Sequence, residues 1–182
     1  MRYRFVMLLI VSALSAEYSA SQVTVAWDSL SPKTRLSFLV GSYSTETVMP
    51  PRRPGSKTAT GNGTSVITWG LDSAFLMIDD EGVNTLFGKY KGHGMLGFDV
   101  PGSQYVLSMF NNSGDHPTYQ GTFVADTLVL TTKVAMSGRS FDQKILWYRD
   151  GKTVKLKVMN DAGKGFVEVL EETYTPTGTN SK

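Results

Sequence analysis

The sequence predicts an all-β chain, an antiparallel up-and-down barrel of about ten strands preceded by one short helix. Three observations predict it. Period-2 apolar patterns alternate with turn signals from about residue 42 to the C-terminus, only one segment carries a helix signature, and the chain holds 18 glycines with 11% aromatic residues. Glycine supplies the positive-φ positions that tight hairpin turns need, and many short strands without further helices lead to a barrel or sandwich. With 182 residues, 41% hydrophobic and 19% charged, one domain with a full core is affordable.

The helix is expected over residues 32–39. Ser31 can cap it, Pro32 fits the first position, Leu36, Leu39 and Val40 form an apolar stripe, and Gly41 reads as a left-handed stop. Such a helix is expected to plug or pack against one end of the barrel. Strand patterns follow at 42–48, 60–71, 74–79, 84–90, 92–99, 104–111, 118–124, 127–134, 140–149, 153–160 and 166–174. Turn signatures separate many of them: Asp80-Glu81-Gly82, Pro101-Gly102, Ser113-Gly114-Asp115, Asp150-Gly151 and Asp161-Ala162-Gly163. A two-residue loop at Asp150-Gly151 would pair Arg149 with Lys152, Trp147 with Val154 and Ile145 with Leu156. Trp147 then faces inward, and Lys144, Lys155 and Lys157 share the outer face. The segment 49–57, rich in proline and arginine, reads as a surface loop, and 177–182 as a disordered tail.

The N-terminus has the pattern of a signal peptide over residues 1–20. Arg2 and Arg4 precede an apolar run at 5–14, and small residues follow. About ten apolar residues are too few for a bilayer span, which needs roughly 20. The mature domain is therefore expected at 28–176, in the periplasm or secreted, with no membrane span. Cleavage after Ala16 would remove Arg2 and Arg4 and leave sixteen basic residues facing sixteen acidic ones. This balance gives no reason to expect a nucleic-acid partner. The absence of cysteine excludes disulfides, thiol catalysis, cysteine metal sites and a lipoprotein anchor.

The catalytic and cofactor motifs fail on context. Gly92-His93-Gly94-Met95-Leu96-Gly97 matches the dinucleotide pattern in letters, but that chemistry needs a helix starting within it, and here the chain runs on to Asp99 and the Pro101-Gly102 turn. A glycine-rich strand bending at a barrel corner accounts for it. Gly82 to Gly88-Lys89 has the wrong spacing for a phosphate loop. His93 and His116 are the two histidines, too few for a three-histidine zinc site. Asp79-Asp80-Glu81-Gly82 reads as a solvated hairpin tip. No nucleophile elbow occurs, and no carboxylate pair stands out among Asp99, Glu168 and Glu171.

Leu36 to Tyr43, Gly94 to Asp99, Gln104-Tyr105-Val106, Gly121-Thr122-Phe123 and Glu171-Glu172-Thr173-Tyr174 together resemble a bacterial family known as domain of unknown function 1579. The resemblance covers about residues 33 to 175. It implies a lipocalin-like (calycin) barrel, with Gly41-Ser42-Tyr43 in the place of the calycin G-x-W motif. One departure is that Met109-Phe110-Asn111-Asn112 stands where the family has a W-x-D element. The family has no established reaction, and fold alone assigns none.

The expected function is non-enzymatic: an exported barrel that holds a small apolar or amphipathic ligand, with no cofactor and no metal. Aromatic residues lie on nearly every strand, and a barrel of eight to ten strands is filled by side chains or holds one small guest. Tyr43, Trp69, His93, Tyr105 and Trp147 are the expected lining. Two alternatives stand beside it: a haem-binding barrel with His93 as axial ligand, and a filled barrel acting as a structural or interaction module.

Overall fold

The structure, a computed structural model, describes residues 31–136 and 138–178. The segment read as a signal peptide lies outside the described residues. From Pro32 the chain forms a one-turn helix α1 (Pro32–Leu36), a 3-10 turn (Ser37–Leu39) and ten strands. These are β1 (Gly41–Met49), β2 (Ala59–Gly70), β3 (Phe75–Asn84), β4 (Gly88–Asp99), β5 (Gln104–Asn111), β6 (Thr118–Val124), β7 (Thr127–Met136), β8 (Arg139–Asp150), β9 (Thr153–Asp161) and β10 (Val167–Pro176). Each strand pairs antiparallel with the next, and β10 pairs with β1, so the sheet closes. Closure leaves no unpaired edge along the wall. The predicted all-β barrel with a short leading helix is the observed fold.

Period-2 alternation puts one set of side chains inside and the other outside. Inside sit Ile67, Leu76, Ile78, Leu96, Leu107, Leu128, Leu130 and Trp147, all buried. Outside run Glu46, Thr64, Glu81, Lys91, Thr131 and Asp142, all exposed. Among the described residues no helix is long and apolar enough to cross a membrane.

The leading helix and 3-10 turn close one end, with Leu36 and Leu39 buried in the core. Side chains from the wall tie them down. Tyr43 Oη donates to the Leu39 carbonyl at 2.9 Å and Tyr105 Oη to the Pro32 carbonyl at 2.9 Å. Arg35 donates to the Ala125 carbonyl at 2.7 Å and lies 4.2 Å over the Phe123 ring. Gly41 is not the left-handed stop expected of it: the 3-10 turn ends at Val40 in extended conformation. Gly41 is instead required because a Cβ there would stand 2.9 Å from the Tyr43 ring and hydroxyl.

Three local readings change. β3 runs straight through Asp79, Asp80, Glu81 and Gly82, and the chain reverses at Thr85–Phe87. There the Asn84 side chain accepts the amides of Leu86 and Phe87, a turn chemistry that composition hid. The β8–β9 hairpin keeps the predicted faces but pairs Trp147 with Leu156 and Ile145 with Val158. Its two-residue turn is Gly151-Lys152, with Gly151 at φ 60, which suits glycine at the first central position of a type II′ turn. Finally, Thr177, expected in a disordered tail, donates both its amide and its hydroxyl to the Ser42 carbonyl.

Candidate functional site

The two halves of the barrel interior differ. The plugged half is apolar and tightly filled. In the other half many inward positions are polar and only partly buried: Thr47, Asp80, Asn84, Tyr90, Asn111, Thr132, Gln143, Asn160 and Glu172. Partial exposure of inward-facing side chains means that this end is reached by solvent.

The polar residues gather on the wall formed by β10, β1, β2, β3 and β4. Cross-strand register pairs Glu172 with Thr47, Tyr174 with Thr45, and Ser65 with Asp80. Asp80 also stands opposite Gly92 on β4. Gly92 has no side chain, and the Tyr90 ring folds over it, with the hydroxyl 2.5 Å from where a Cβ would be. Tyr90 is thereby laid towards Asp80. The glycines of the dinucleotide-like motif thus serve packing: Gly94 makes room for the Met109 sulfur and Gly97 for the Phe75 ring.

Both carboxylates at this wall are deeply set. Glu172 Oε2 accepts from Tyr174 Oη at 2.9 Å and Oε1 from Thr47 Oγ1 at 3.3 Å. Burial raises the Glu172 pKa, and its hydroxyl donors only partly offset this. Burial likewise pushes Asp80 up to about 6, with Ser65 lowering it and the Glu172 and Asp79 charges raising it further. Ser65 is 1% exposed and sits across from Asp80, yet neither Ser65 Oγ nor Asp80 Oδ1 has a hydrogen-bond partner of ordinary geometry among the described residues. Tyr90 is pushed up to about 12 by burial and by the Asp80 and Glu172 charges. Tyr174, fully enclosed, is raised by burial and by the same two carboxylates. Across the interior, Tyr119 Oη donates to Gln143, and Gln143 Nε2 donates to Asn160 Oδ1 at 2.9 Å. Burial also pushes Tyr119 up to about 12.

The residues expected to line a cavity fall elsewhere. Tyr43 and Tyr105 are buried, and their hydroxyls are committed to the plug. Trp147 is 2% exposed within the apolar half, and its Nε1 has no hydrogen-bond partner among the described residues. Trp69 is half-buried at the plugged rim, with Lys33 Nζ 5.4 Å over its ring. His93 is a correction. It faces outward, because Tyr90, Gly92, Gly94 and Leu96 take the inward positions of β4, and its Nδ1 lies 2.7 Å from the exposed Asp79 carboxylate. His116 is exposed in the β5–β6 connection. Neither histidine can serve as an axial ligand inside the barrel, so that role for His93 is withdrawn.

Sequence reading missed Asp80, Glu172, Tyr90, Tyr174 and Ser65 as a site. A signal existed: Asp80 shares the parity of Leu76 and Ile78, and Glu172 that of Leu170 and Tyr174, which puts a carboxylate on a core face in each strand. Two grooves also mark the surface. One of about 640 Å³ lies beside the plug, with Phe38, Arg149 and Lys152 among its lining residues. The other, about 590 Å³, crosses β1 to β4 at the paired glycines Gly63 and Gly82. No protein-family model matches this chain, and no curated protein matches it either.

Proposed function

We propose that the protein is an exported, non-enzymatic barrel that holds a small amphipathic molecule in the half of its interior opposite the plug. The observation that supports this is the inward polar wall of Asp80, Glu172, Ser65, Tyr90 and Tyr174, in the half of the barrel whose inward Thr47, Asn84, Asn111 and Asn160 are only partly buried. Burying two carboxylates costs stability unless something compensates, and a stable interior would more simply be filled with leucine and valine. The opposing wall supplies apolar surface from Met109, Leu130, Ile145 and Val158. A ligand with one polar end and one apolar end matches these two walls. Export is supported by the charged and then apolar segment at residues 2–14.

Titration with the neutral dye Nile red tests the reading. Wild type is expected to brighten the dye with a saturable curve, and Asn111→Trp, which places a large ring at the inward mouth position of β5, to weaken uptake at least tenfold. No brightening by wild type, or an unchanged curve for Asn111→Trp, would count against an interior site.

A further inference from the structure

Among the described residues no cationic side chain pairs with either of the two interior carboxylates. Lys89, Lys91, Lys133, Lys144, Lys155 and Lys157 occupy outward positions. Lys33, Arg35 and Arg149 lie at the plugged end. Among the described residues no ion pair reaches Asp80 or Glu172, although six other pairings form elsewhere on the molecule. Glu172 keeps its hydroxyl donors, but among the described residues Asp80 Oδ1 and the buried Ser65 Oγ facing it have no hydrogen-bond partner of ordinary geometry. Buried charges are normally paired, and buried polar atoms are normally bonded. This wall therefore lacks a donor that carries positive charge.

We propose that the interior site recognises a protonated amine, held between the Asp80 and Glu172 carboxylates with the remainder of an amphipathic molecule lying along the apolar wall. The inference rests on the ligand-binding reading above and specifies its chemical class. An ammonium group offers up to three N–H donors, enough for Asp80 Oδ1, Ser65 Oγ and one Glu172 oxygen. An anionic head would add a third negative charge to the cluster, and a neutral alcohol would leave both carboxylates uncompensated. A divalent metal ion fits poorly, since it wants six or more oxygen ligands. Among the described residues no group of three His, Cys, Asp or Glu converges anywhere.

Calorimetric titration with decylamine, decanol and decanoate at pH 7.5 decides the matter, since the three share one tail and differ in head charge. Decylamine is expected to bind wild type at least tenfold more tightly than decanol, with decanoate weakest. Asp80→Asn and Glu172→Gln, singly and together, are expected to erase the preference for the amine over decanol. Thermal melting shows that each variant is folded, and either single variant suffices if the pair is not. Decanol binding as tightly as decylamine, or an amine preference that survives in the folded variants, overturns the amine assignment alone. Heat from none of the three ligands overturns the interior site as well.

Discussion

Tyr174 and Glu172 stand two residues apart on β10, and the phenol of the first donates to the carboxylate of the second at 2.9 Å inside the barrel. Strand geometry makes this pairing possible, because residues i and i+2 project from the same face. The phenol is enclosed and the carboxylate nearly so, which gives the bond weight that a surface contact would lack. Tyr174→Phe is expected to destabilise the fold by about 1–2 kcal/mol at pH 8, where the carboxylate must ionise with one donor fewer. Glu172 has its pKa raised by burial, so the folded state favours the neutral carboxyl and the loss should shrink as pH falls. Urea denaturation of both proteins at pH 8 and pH 5 measures the difference, and an equal loss at both values would contradict the account.

Asp80 has the clearest linkage to pH. Its folded pKa is pushed up to about 6 from an ordinary 3.8, so below 3.8 both folded and unfolded chains hold the proton. Between 3.8 and about 6 only the folded chain does, and stability falls as pH rises through that window. Above it the burial cost is complete, roughly 3 kcal/mol for a shift of this size. Asp80→Asn is therefore expected to be more stable than wild type by up to about 3 kcal/mol at pH 7.5 and no more stable at pH 3.5. Denaturation midpoints across pH 3.5 to 7.5 provide the measurement. A variant less stable than wild type at pH 7.5 would mean that the carboxylate is compensated from within the protein.

The barrel itself was legible in the sequence, because period-2 patterning and turn residues are local signals that survive into the fold. Trp147 faced inward as its strand parity required, even though the hairpin slipped to pair it with Leu156. The slip came from the turn: Gly151 occupies the first central position, so the loop begins one residue later than expected. The candidate site was hidden for a related reason. Asp79-Asp80-Glu81-Gly82 has the composition of a hairpin tip, but ten consecutive pairings from Gly61–Asn84 to Gly70–Phe75 keep it in the strand. Cross-strand pairing outweighed local turn preference, and Asp80 was carried indoors. His93 failed in the opposite sense: flanking glycines suggested access to the interior, whereas its parity, opposite to that of the inward Leu96, placed it outside.

His93→Ala is accordingly expected to change little. The imidazole is 48% exposed and the Asp79 side chain 64% exposed, and surface changes of this kind fall within about 0.5 kcal/mol. Nile red uptake should match wild type. A tenfold loss of uptake would show that the outer face of β4 communicates with the interior.

On the outer wall, Lys157 bridges Glu168 at 2.8 Å and Glu171 at 3.0 Å, while Lys155 holds Glu171 at 2.9 Å. A register shift between Glu168 and Leu170 puts both glutamates on the outer face, which three-residue spacing would otherwise prevent. Hydrogen bonds from Lys155 and Lys157 hold the Glu171 pKa below its ordinary 4.5. The network therefore contributes above that value and is lost as pH falls through the lowered one. Glu171→Gln is expected to cost about 1 kcal/mol at pH 7, because the side chains remain partly in water. The cost should fade in 0.5 M salt, and a cost independent of salt would assign the effect to packing.

Glycine substitutions separate rigid from yielding neighbours. At Gly121 on β6, an added Cβ would collide with the Val129 carbonyl of the adjacent strand, and backbone in a closed ladder has nowhere to move. At Gly94 on β4 the nearest atom is the Met109 sulfur, the end of a flexible side chain. Gly121→Ala is thus expected to destabilise by about 3 kcal/mol or more, and Gly94→Ala by about 1 kcal/mol. In a Met109→Ala background Gly94→Ala should cost little further, since the close contact with the flexible group is gone. Chemical denaturation of the three single variants and the Gly94→Ala/Met109→Ala pair tests this. Equal losses for Gly121→Ala and Gly94→Ala would show that the strands can shift apart, and that closure of the barrel constrains its backbone less than the continuous ladder implies.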